Sequence, residues 1–441
     1  MVEEILKKVL NYALKSGADE AEVYLRRYKE KFIKGEGEKL TPSSIIGNNL
    51  AIRVSVGKKI GLVSTSTLNL NKLYEEVDRA ISIAKVSDED KYWHGLPDPT
   101  KPIAKEVYSD ELSSLEIADM MKDCRLLYKE AERESRDIKI CELYNSVVTW
   151  EKWIINSRGI EAYDRGAGEH FVVMAKGKSA KREVSIYDGW SDTKVIRNKV
   201  DITIDVINRV KTLFEAEKLG KPMKASIIFS PLTLAEILQF VFTPAIRADN
   251  VEEGRSPLHD KLGKEVCSKE LSITDDGTLA DGLATSKYDD EGVAKRRTEV
   301  IKNGVLTSFL YNTYYARKVG KESTGNAFRA RGIVGISYTN LVIHGNNKTL
   351  DNLISEIDEG IFVMGFPMNP HSSNYVTGEI NAVLYEAYYI KSGSIEKPLY
   401  PLNVSGNIYE AFKEIRIAGK PIKTMFSIYL PYMILQSLTV A

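Results

Sequence analysis

The chain has 441 residues, of which 43% are hydrophobic and 28% charged, so it is long enough for two or three hydrophobic cores. Its 61 basic and 61 acidic residues cancel, and this balance excludes the net positive charge typical of proteins that bind nucleic acid or membrane surfaces. The cysteines Cys124, Cys141 and Cys267 are odd in number and far apart, which argues against a disulfide framework and a Cys-x-x-Cys zinc site.

The two ends of the sequence show no targeting or membrane signal. The first residues lack the basic and apolar regions of a secretory signal. Residues 425–441 are apolar, but they include Pro431 and Gln436 and are shorter than the roughly 20 residues of a spanning helix. We therefore expect a cytoplasmic protein with no membrane partner, whose last segment is a core strand. The scarcity of glutamine, found only at Gln239 and Gln436, is typical of a thermophile.

Residues 1–103 predict helices packed on strands. Apolar residues recur on one face of the first helix, and Gly17 follows as a stop signal. Pro97, Pro99 and Pro102 then indicate an extended linker and a domain boundary near residue 103. The predicted elements are a helix over 2–15, strands over 21–28, 30–35, 50–54 and 59–64, and a helix over 70–85.

Residues 104–221 predict an α+β domain. Ser109 is a suitable N-cap for one long helix over 109–135, and Asp110 and Glu111 favour its positive end. A second helix over 199–218 ends before Gly220-Lys221-Pro222, a typical stop. The strands predicted between these helices are 139–150, 152–155, 159–164, 171–176 and 183–190.

Residues 222–441 are rich in predicted strands. A buried strand over 224–229 leads to Ser230-Pro231, an N-cap followed by proline, which predicts a helix over 232–242. Further along, Asn303-Gly304 predicts a tight turn between strands over 298–301 and 305–311, because both residues tolerate a positive φ.

Several ordered motifs carry a family resemblance. Between Tyr288 and Gly332 the sequence reads DDEGVAKRRT, IKNGVLTSFLYNTYYARKVG and STGNAFR. Earlier motifs are SGADEAEVY at 16–24, VGKKIG at 56–61 and GLPDP at 95–99. Together these motifs resemble the TldD/PmbA family, and the resemblance covers most of the chain.

The TldD/PmbA family comprises paired cytosolic proteins, in which a TldD-type subunit carries a zinc protease site and a PmbA (TldE)-type subunit does not. The resemblance implies a multi-domain α+β fold with an N-terminal α/β layer (1–103) and a middle α+β domain (104–221). It implies a C-terminal domain (222–441) with a strongly curved, mainly antiparallel sheet. It also implies a role in a protease that acts on peptides or unfolded proteins.

The helix after Ser230 departs from the family's zinc motif. In TldD-type subunits the corresponding helix resembles His-Glu-x-x-x-His, in which two imidazoles bind Zn²⁺ and the glutamate activates water. Here Glu236 remains, but Ala235 and Phe240 stand at the histidine positions. The resemblance therefore implies no catalytic residue and no metal in this chain, with zinc in a TldD-type partner.

Two other chemistries stay open. His259, His371 and Glu379 would supply the three ligands of a composite zinc site. Cys267 would be a nucleophile if a histidine lay beside it. The sequence contains no P-loop, no Gly-x-Ser-x-Gly motif, and no Gly-x-Gly-x-x-Gly after a strand.

Polar side chains near these motifs are candidates for a cleft or for partner contacts. Basic residues outnumber acidic ones between Lys287 and Arg331, and arginine forks suit peptide carbonyls, carboxylates and subunit interfaces. The other interpretation is the solvated face of a hairpin. The candidate residues are Glu236, Arg296, Arg297, Tyr311, Asn312, Tyr315, Asn326, Arg329, His371, Asn374 and Tyr375.

Three functional hypotheses follow. The first is a non-catalytic PmbA/TldE-type subunit that forms a heterodimer with a zinc-bearing TldD-type chain. The second is an independent peptidase with a non-standard site that uses His371 and Glu236. The third is a homodimer that binds peptides without cleaving them. None of the three has a nucleic-acid partner.

Overall fold

One long antiparallel sheet occupies the first half of the chain in the computed structural model, which describes residues 2–441. Its six strands are β1 (Glu20–Glu36), β2 (Lys39–Val56), β3 (Lys59–Thr65), β4 (Ile138–Asn156), β5 (Glu161–Lys178) and β6 (Glu183–Asp192). They lie in the order β3-β2-β1-β4-β5-β6. Because β1, β2, β4 and β5 have 17 to 19 residues each, the sheet is long enough to serve two hydrophobic cores.

Helices cover this sheet in two patches. They are α1 (Val2–Lys15), α2 (Leu70–Val86), α3 (Asp110–Ser114), α4 (Ile117–Glu134) and α5 (Lys199–Leu213). One core joins α1 and α2 to β1 around Leu6, Val23 and Val77. The other joins α4 and α5 to β4 and β5 around Phe171. The predicted boundary at residue 103 therefore falls between two parts of one sheet, and the division into three domains stays a prediction.

The single helix predicted over 109–135 is wrong, because the chain breaks it into α3 and α4. The hydroxyls of Ser113 and Ser114 each donate to a carbonyl three residues earlier, at 3.0 Å, and the next two residues are extended. Serine competes in this way with the helical hydrogen bonds of the backbone. The predicted cap is confirmed, since Ser109 Oγ accepts from the Leu112 N–H at 3.2 Å.

The second sheet is built by residues from Met223 onward and closes on itself. The strands of this half are β7 (Met223–Phe229), β8 (Ile273–Asp276), β9 (Arg297–Lys302), β10 (Val305–Leu306), β11 (Ala327–Ala330), β12 (Ile333–Ile336), β13 (Leu341–Ile343), β14 (Glu359–Met368), β15 (Glu379–Lys391), β16 (Ser394–Leu399), β17 (Leu402–Asn407), β18 (Ile415–Lys423) and β19 (Ile428–Val440). β7 pairs with β14 on one side and β19 on the other, and β15 and β17 complete the ring. β11 and β12 form a separate hairpin. The α+β fold with a strongly curved C-terminal sheet is confirmed.

Helix α6 (Pro231–Val241) packs against β14, β15 and β19 of this ring. Its predicted start is confirmed, since Ser230 Oγ accepts from the Thr233 N–H at 3.4 Å and proline occupies the first position. The shorter helices are α7 (Ala248–Glu252), α8 (Thr313–Lys318), α9 (Leu350–Ser355) and α10 (Ile408–Ala411), with a 3₁₀ turn at Pro370–Ser372. No helix within residues 2–441 has the length and apolar character needed to cross a membrane.

The predicted hairpin is confirmed at its turn and wrong at its end. Asn303 and Gly304 have φ values of 47° and 82°, as the tight turn requires. The return strand ends at Leu306 rather than at residue 311, because Leu310 donates its N–H to the Ile246 carbonyl at 2.9 Å instead. The last segment is the core strand β19, as predicted.

Candidate functional site

The acidic turn Asp289–Glu291 lies inside the protein, where the two sheets meet. Glu291 Oε1 accepts from Arg53 Nη2 of β2 at 2.9 Å, and the same nitrogen lies 3.2 Å from Glu22 Oε2 of β1. Glu22 also pairs with Arg329 of β11. The side chains of these four residues are at most 9% exposed. The acidic turn is therefore an internal link between the two halves of the chain.

Of the other two acids of the turn, Asp290 is held by a cation and Asp289 by backbone N–H groups. Lys152 Nζ of β4 lies 3.0 Å from Asp290 Oδ1, and the Arg329 N–H donates to Asp290 Oδ2 at 2.9 Å. Asp289 accepts only backbone N–H groups, those of Glu291, Val293 and Ala327. We call the set the junction cluster; its members are Glu22, Arg53, Lys152, Asp289, Asp290, Glu291 and Arg329.

Burial disfavours the charged form of each acid of the turn, and the charges and hydrogen-bond donors around each acid determine whether its pKa is raised or lowered. Burial and the negative charge of Glu291 together raise the pKa of Asp289 to about 7. Burial also disfavours the charged form of Glu291, but the Arg53 guanidinium and the hydrogen bonds from Thr313 together outweigh it and lower the pKa of Glu291. Lys152 similarly lowers the pKa of Asp290 against the effect of burial. At neutral pH two carboxylates therefore stay charged inside the protein because cations hold them.

A cavity of about 440 Å³ lies beside the junction cluster and is bounded by helix α6. Gln239 of α6 lines it and donates to Glu236 Oε2 at 2.8 Å, and burial raises the pKa of Glu236. Asn326 is fixed in the wall by donating to Asp275 Oδ2 at 2.7 Å. The residues that line this α6 cavity are Gln239, Ala284, Asp290, Lys295, Gly325, Asn326, Ala327, Phe328, Ser337, Tyr338, Thr339 and Ser427.

Two further cavities share Lys295 with the α6 cavity. The sheet cavity, of about 220 Å³, is lined by Arg26, Trp150, Lys152, Leu283, Ala284, Thr285, Ser286, Asp290, Lys295 and Phe328. The linker cavity, of about 410 Å³, is lined by Pro97, Asp98, Thr100, Lys101, Ile103, Val293, Ala294, Lys295, Arg296, Thr313, Arg317, Lys321, Glu322 and Ser323. Lys295 thus lines all three cavities, two of which, the sheet cavity and the linker cavity, lie between the two halves of the chain.

The side chains on α6 do not fit a zinc ion. Ala235 is fully buried in the core of the second sheet, and the Phe240 ring packs edge-on against His371, with centroids 6.3 Å apart. Neither Ala235 nor Phe240 has a donor atom for Zn²⁺. Within residues 2–441, no three His, Cys, Asp or Glu side chains are grouped to hold a metal ion.

The two alternative chemistries are not supported by the geometry. The composite site of His259, His371 and Glu379 is wrong, because the fold does not group these side chains. His259 Nδ1 instead lies 3.0 Å from the Val251 carbonyl oxygen. Burial raises the pKa of the Cys267 thiol to about 12, and the thiolate that a nucleophile needs is then scarce at neutral pH.

The candidate residues fall into separate places. Of the eleven, Asn326 lines the α6 cavity and Arg296 the linker cavity, whereas Arg329 belongs to the junction cluster. Asn312 is internal and caps α8 by accepting from the Tyr315 N–H at 2.9 Å. The remaining candidates are Glu236, hydrogen-bonded to Gln239; Tyr311, which is buried; Tyr315, hydrogen-bonded to Glu253; Tyr375, which is partly buried; and Arg297, His371 and Asn374, which are exposed. Their role in a cleft or a subunit contact stays a prediction.

Sequence reasoning missed Lys295 and Gln239. Lys295 opens the run Lys295-Arg296-Arg297, which reads as one basic patch, although only the third residue is exposed and the first two are partly buried. Gln239 lies on helix α6, directly before Phe240. A signal for Gln239 was present, because it is one of only three polar residues, with Thr233 and Glu236, on a helix that is otherwise apolar.

Comparisons with known proteins agree with this architecture. The family model described as PmbA/TldA metallopeptidase C-terminal domain matches residues 222–441, and the model described as PmbA/TldA metallopeptidase domain 1 matches residues 21–84. An uncharacterized protein of Methanocaldococcus jannaschii is 27% identical over 415 residues, which is 93% of each chain. A metalloprotease of the same organism is 27% identical over 394 residues, covering 86% of this chain and 84% of the relative.

A solved structure shows the same fold. The crystal structure of TldE from Thermococcus kodakarensis matches with a TM-score of 0.92 at 23% identity, over 99% of this chain and 100% of that chain. The two family models together match three strands of the first sheet, β1 to β3, and the whole closed sheet. The chain therefore belongs to the PmbA/TldD family.

Proposed function

We propose that this chain is the non-catalytic, PmbA/TldE-type subunit of a cytoplasmic protease that acts on peptides or unfolded proteins. The zinc and the catalytic glutamate belong to a TldD-type partner. The observation that carries the proposal is the packing at the two ligand positions of α6. Ala235 is sealed in the core and Phe240 packs on His371, so apolar contacts fill the positions where imidazoles would stand.

The relatives supply further support. A relative of similar length is named as a metalloprotease, and a protein of the same fold is named TldE. The cavities around Lys295 provide space for a peptide segment, since small-molecule and peptide sites are concave and combine apolar walls with a few polar groups. In this proposal the chain contributes scaffold and peptide contacts, and no bond is made or broken by its own side chains.

The test is metal content, native mass and peptidase activity, measured on the chain alone and after co-expression with a TldD-type chain from the same genome. We expect the chain alone to bind no stoichiometric zinc and to cleave no unfolded substrate. The co-expressed pair should form a heterodimer with one zinc and be active. Replacing the motif glutamate of the partner should abolish that activity without separating the subunits.

The other outcomes identify the alternatives. A chain that is active alone, and inactive as the double variant Glu236→Gln/His371→Ala, is an independent peptidase. A chain that forms a homodimer in the presence of the TldD-type protein and binds peptides without cleaving them is a peptide-binding protein.

A further inference from the structure

Lys295 is a partly buried amine in contact with all three cavities. Within residues 2–441 its ammonium has one hydrogen-bond partner, the Ala284 carbonyl oxygen at 2.9 Å, and forms no ion pair. A lysine ammonium has three N–H donors. Two of them are therefore available to a group that enters a cavity.

The carboxylates nearest to Lys295 are engaged by other donors. Asp275 accepts from Asn326 Nδ2 at 2.7 Å and from the Thr339 N–H at 2.6 Å. Asp289 accepts backbone N–H groups, and Asp290 is paired with Lys152. A lysine removed from water is usually paired with an anion. Lys295 lacks such a partner in the described chain, which indicates a place for an anion from outside.

The α6 cavity offers further donors beside Lys295. The hydroxyls of Ser337 and Ser427 line it and make no side-chain hydrogen bond within residues 2–441, and Gln239 uses one of its two amide hydrogens. A carboxylate has two oxygens that only accept, so it matches a wall of free donors. Phe328, 45% exposed, lies where the α6 and sheet cavities meet and offers an apolar contact beside the polar wall.

We propose that Lys295 anchors the carboxylate of a ligand in the α6 cavity. Resting on the proposed function, that ligand is a peptide, and its carboxylate comes from the C-terminus or from an acidic side chain. The ammonium supplies charge and the serine hydroxyls supply hydrogen bonds. Charge-assisted hydrogen bonds are about twice as strong as neutral ones, so the carboxylate fixes the position and direction of the peptide.

The test measures binding of short labelled peptides to the full chain by fluorescence anisotropy at neutral pH. Three peptides share one uncharged sequence: one has a free C-terminus, one a C-terminal amide, and one an amide with a single internal glutamate. We expect at least one carboxylate peptide to bind about tenfold or more tightly than the plain amide. The comparison of the free acid with the glutamate peptide identifies the source of the carboxylate.

Variants locate the anchor. Lys295→Gln should abolish the preference for a carboxylate, and Lys295→Arg should retain most of it because the charge remains. Lys101→Gln is the matched control, since Lys101 lines the linker cavity but not the α6 cavity. The preference should persist in that control.

The dependence of the carboxylate preference on pH is a second measurement, and it would not change if the role of Lys295 were only structural. Burial and the charge of Lys152 lower the pKa of Lys295 to about 8, while Asp275, Asp289 and Asp290 act in the opposite direction. The carboxylate preference of the wild-type chain should decline as the pH rises through about 8. Circular dichroism checks that Lys295→Gln is folded. If it is not folded, the carboxylate preference of Lys295→Arg and the pH profile of the wild-type chain test the proposed anchor instead.

Equal affinity for the acid and amide peptides overturns this inference, as does a preference that Lys295→Gln leaves intact. The inference is also overturned if the control Lys101→Gln loses the carboxylate preference and Lys295→Gln does not. Native mass after co-expression with the TldD-type chain is measured in parallel. A wild-type chain that pairs with its partner but shows no carboxylate preference refutes the anchor and leaves the subunit proposal standing.

Discussion

Arg53 is the residue on which the junction between the two sheets most depends. It is 7% exposed and serves two acids, Glu22 and Glu291, which are themselves at most 1% exposed. Its guanidinium also lies 5.6 Å from the centroid of the Trp93 ring. The substitution Arg53→Met retains much of the aliphatic stem and removes the charge, so it leaves two buried carboxylates short of a donor.

Breaking a buried ion pair by removing one partner costs about 3–5 kcal/mol, because the remaining charge is uncompensated. We expect Arg53→Met to lower the free energy of unfolding by this amount at neutral pH. Glu22 keeps its pair with Arg329, and Glu291 keeps the hydrogen bond from the Thr313 N–H at 2.9 Å. These remaining contacts favour the lower end of the range.

The pH dependence tests the cause. The pKa of Glu291 is lowered in the folded chain. Its pair with Arg53 therefore stabilises the fold at pH values above the unfolded pKa of 4.5, and this stabilisation is lost as the pH falls below 4.5. Without Arg53 the pKa of Glu291 rises, and protonation then relieves the buried charge. The difference in stability between wild type and Arg53→Met should therefore shrink as the pH is lowered toward about 4.5.

Urea unfolding, followed by tryptophan fluorescence at neutral pH and at about pH 4.5, measures these differences in the free energy of unfolding. The matched control is Arg416→Met, whose pair with Glu356 at 2.8 Å is exposed, with side-chain exposures of 44% and 28%. Exposed pairs contribute at most about 1 kcal/mol. A loss for Arg53→Met no larger than that of Arg416→Met, or a loss unchanged by pH, would refute the reasoning.

Three further predictions concern the cap, the turn and the thiol. Ser230→Ala removes the N-cap of α6 and should cost about 1 kcal/mol in urea unfolding; no loss would mean that the cap contributes little. Gly292→Ala should cost more than about 1 kcal/mol, because φ is 80° and the added Cβ would lie 2.7 Å from Ile160 Cγ2; a neutral result would show that the turn can shift. Cys267 should react with iodoacetamide only on unfolding, because burial raises its pKa to about 12; the double variant Cys124→Ser/Cys141→Ser isolates its signal, and rapid labelling of the native chain would contradict this.

Local signals in the sequence determined where many elements begin and how they turn. The spacing of apolar residues defined α1 at Val2–Lys15, Ser230-Pro231 defined the start of α6, and Asn303-Gly304 defined a turn. These features depend on contacts between residues close in the chain, so they can be read from a short window. The absence of histidine and cysteine from the α6 segment was equally visible, since its residues, Ala235 and Phe240 among them, are read directly from the sequence.

Only the tertiary structure decided what the polar motifs do. The acids of Asp289–Glu291 meet Arg53 and Lys152, which are more than a hundred residues away, and no local pattern distinguishes such a turn from a solvated one. Lys295 resembles its neighbour Arg296 in sequence, yet its exposure and its missing counter-ion depend on how the two sheets pack. Burial and the pairing of charges depend on contacts between residues that are distant in the chain. These contacts decide which charged side chains link the two sheets and which ones line a cavity.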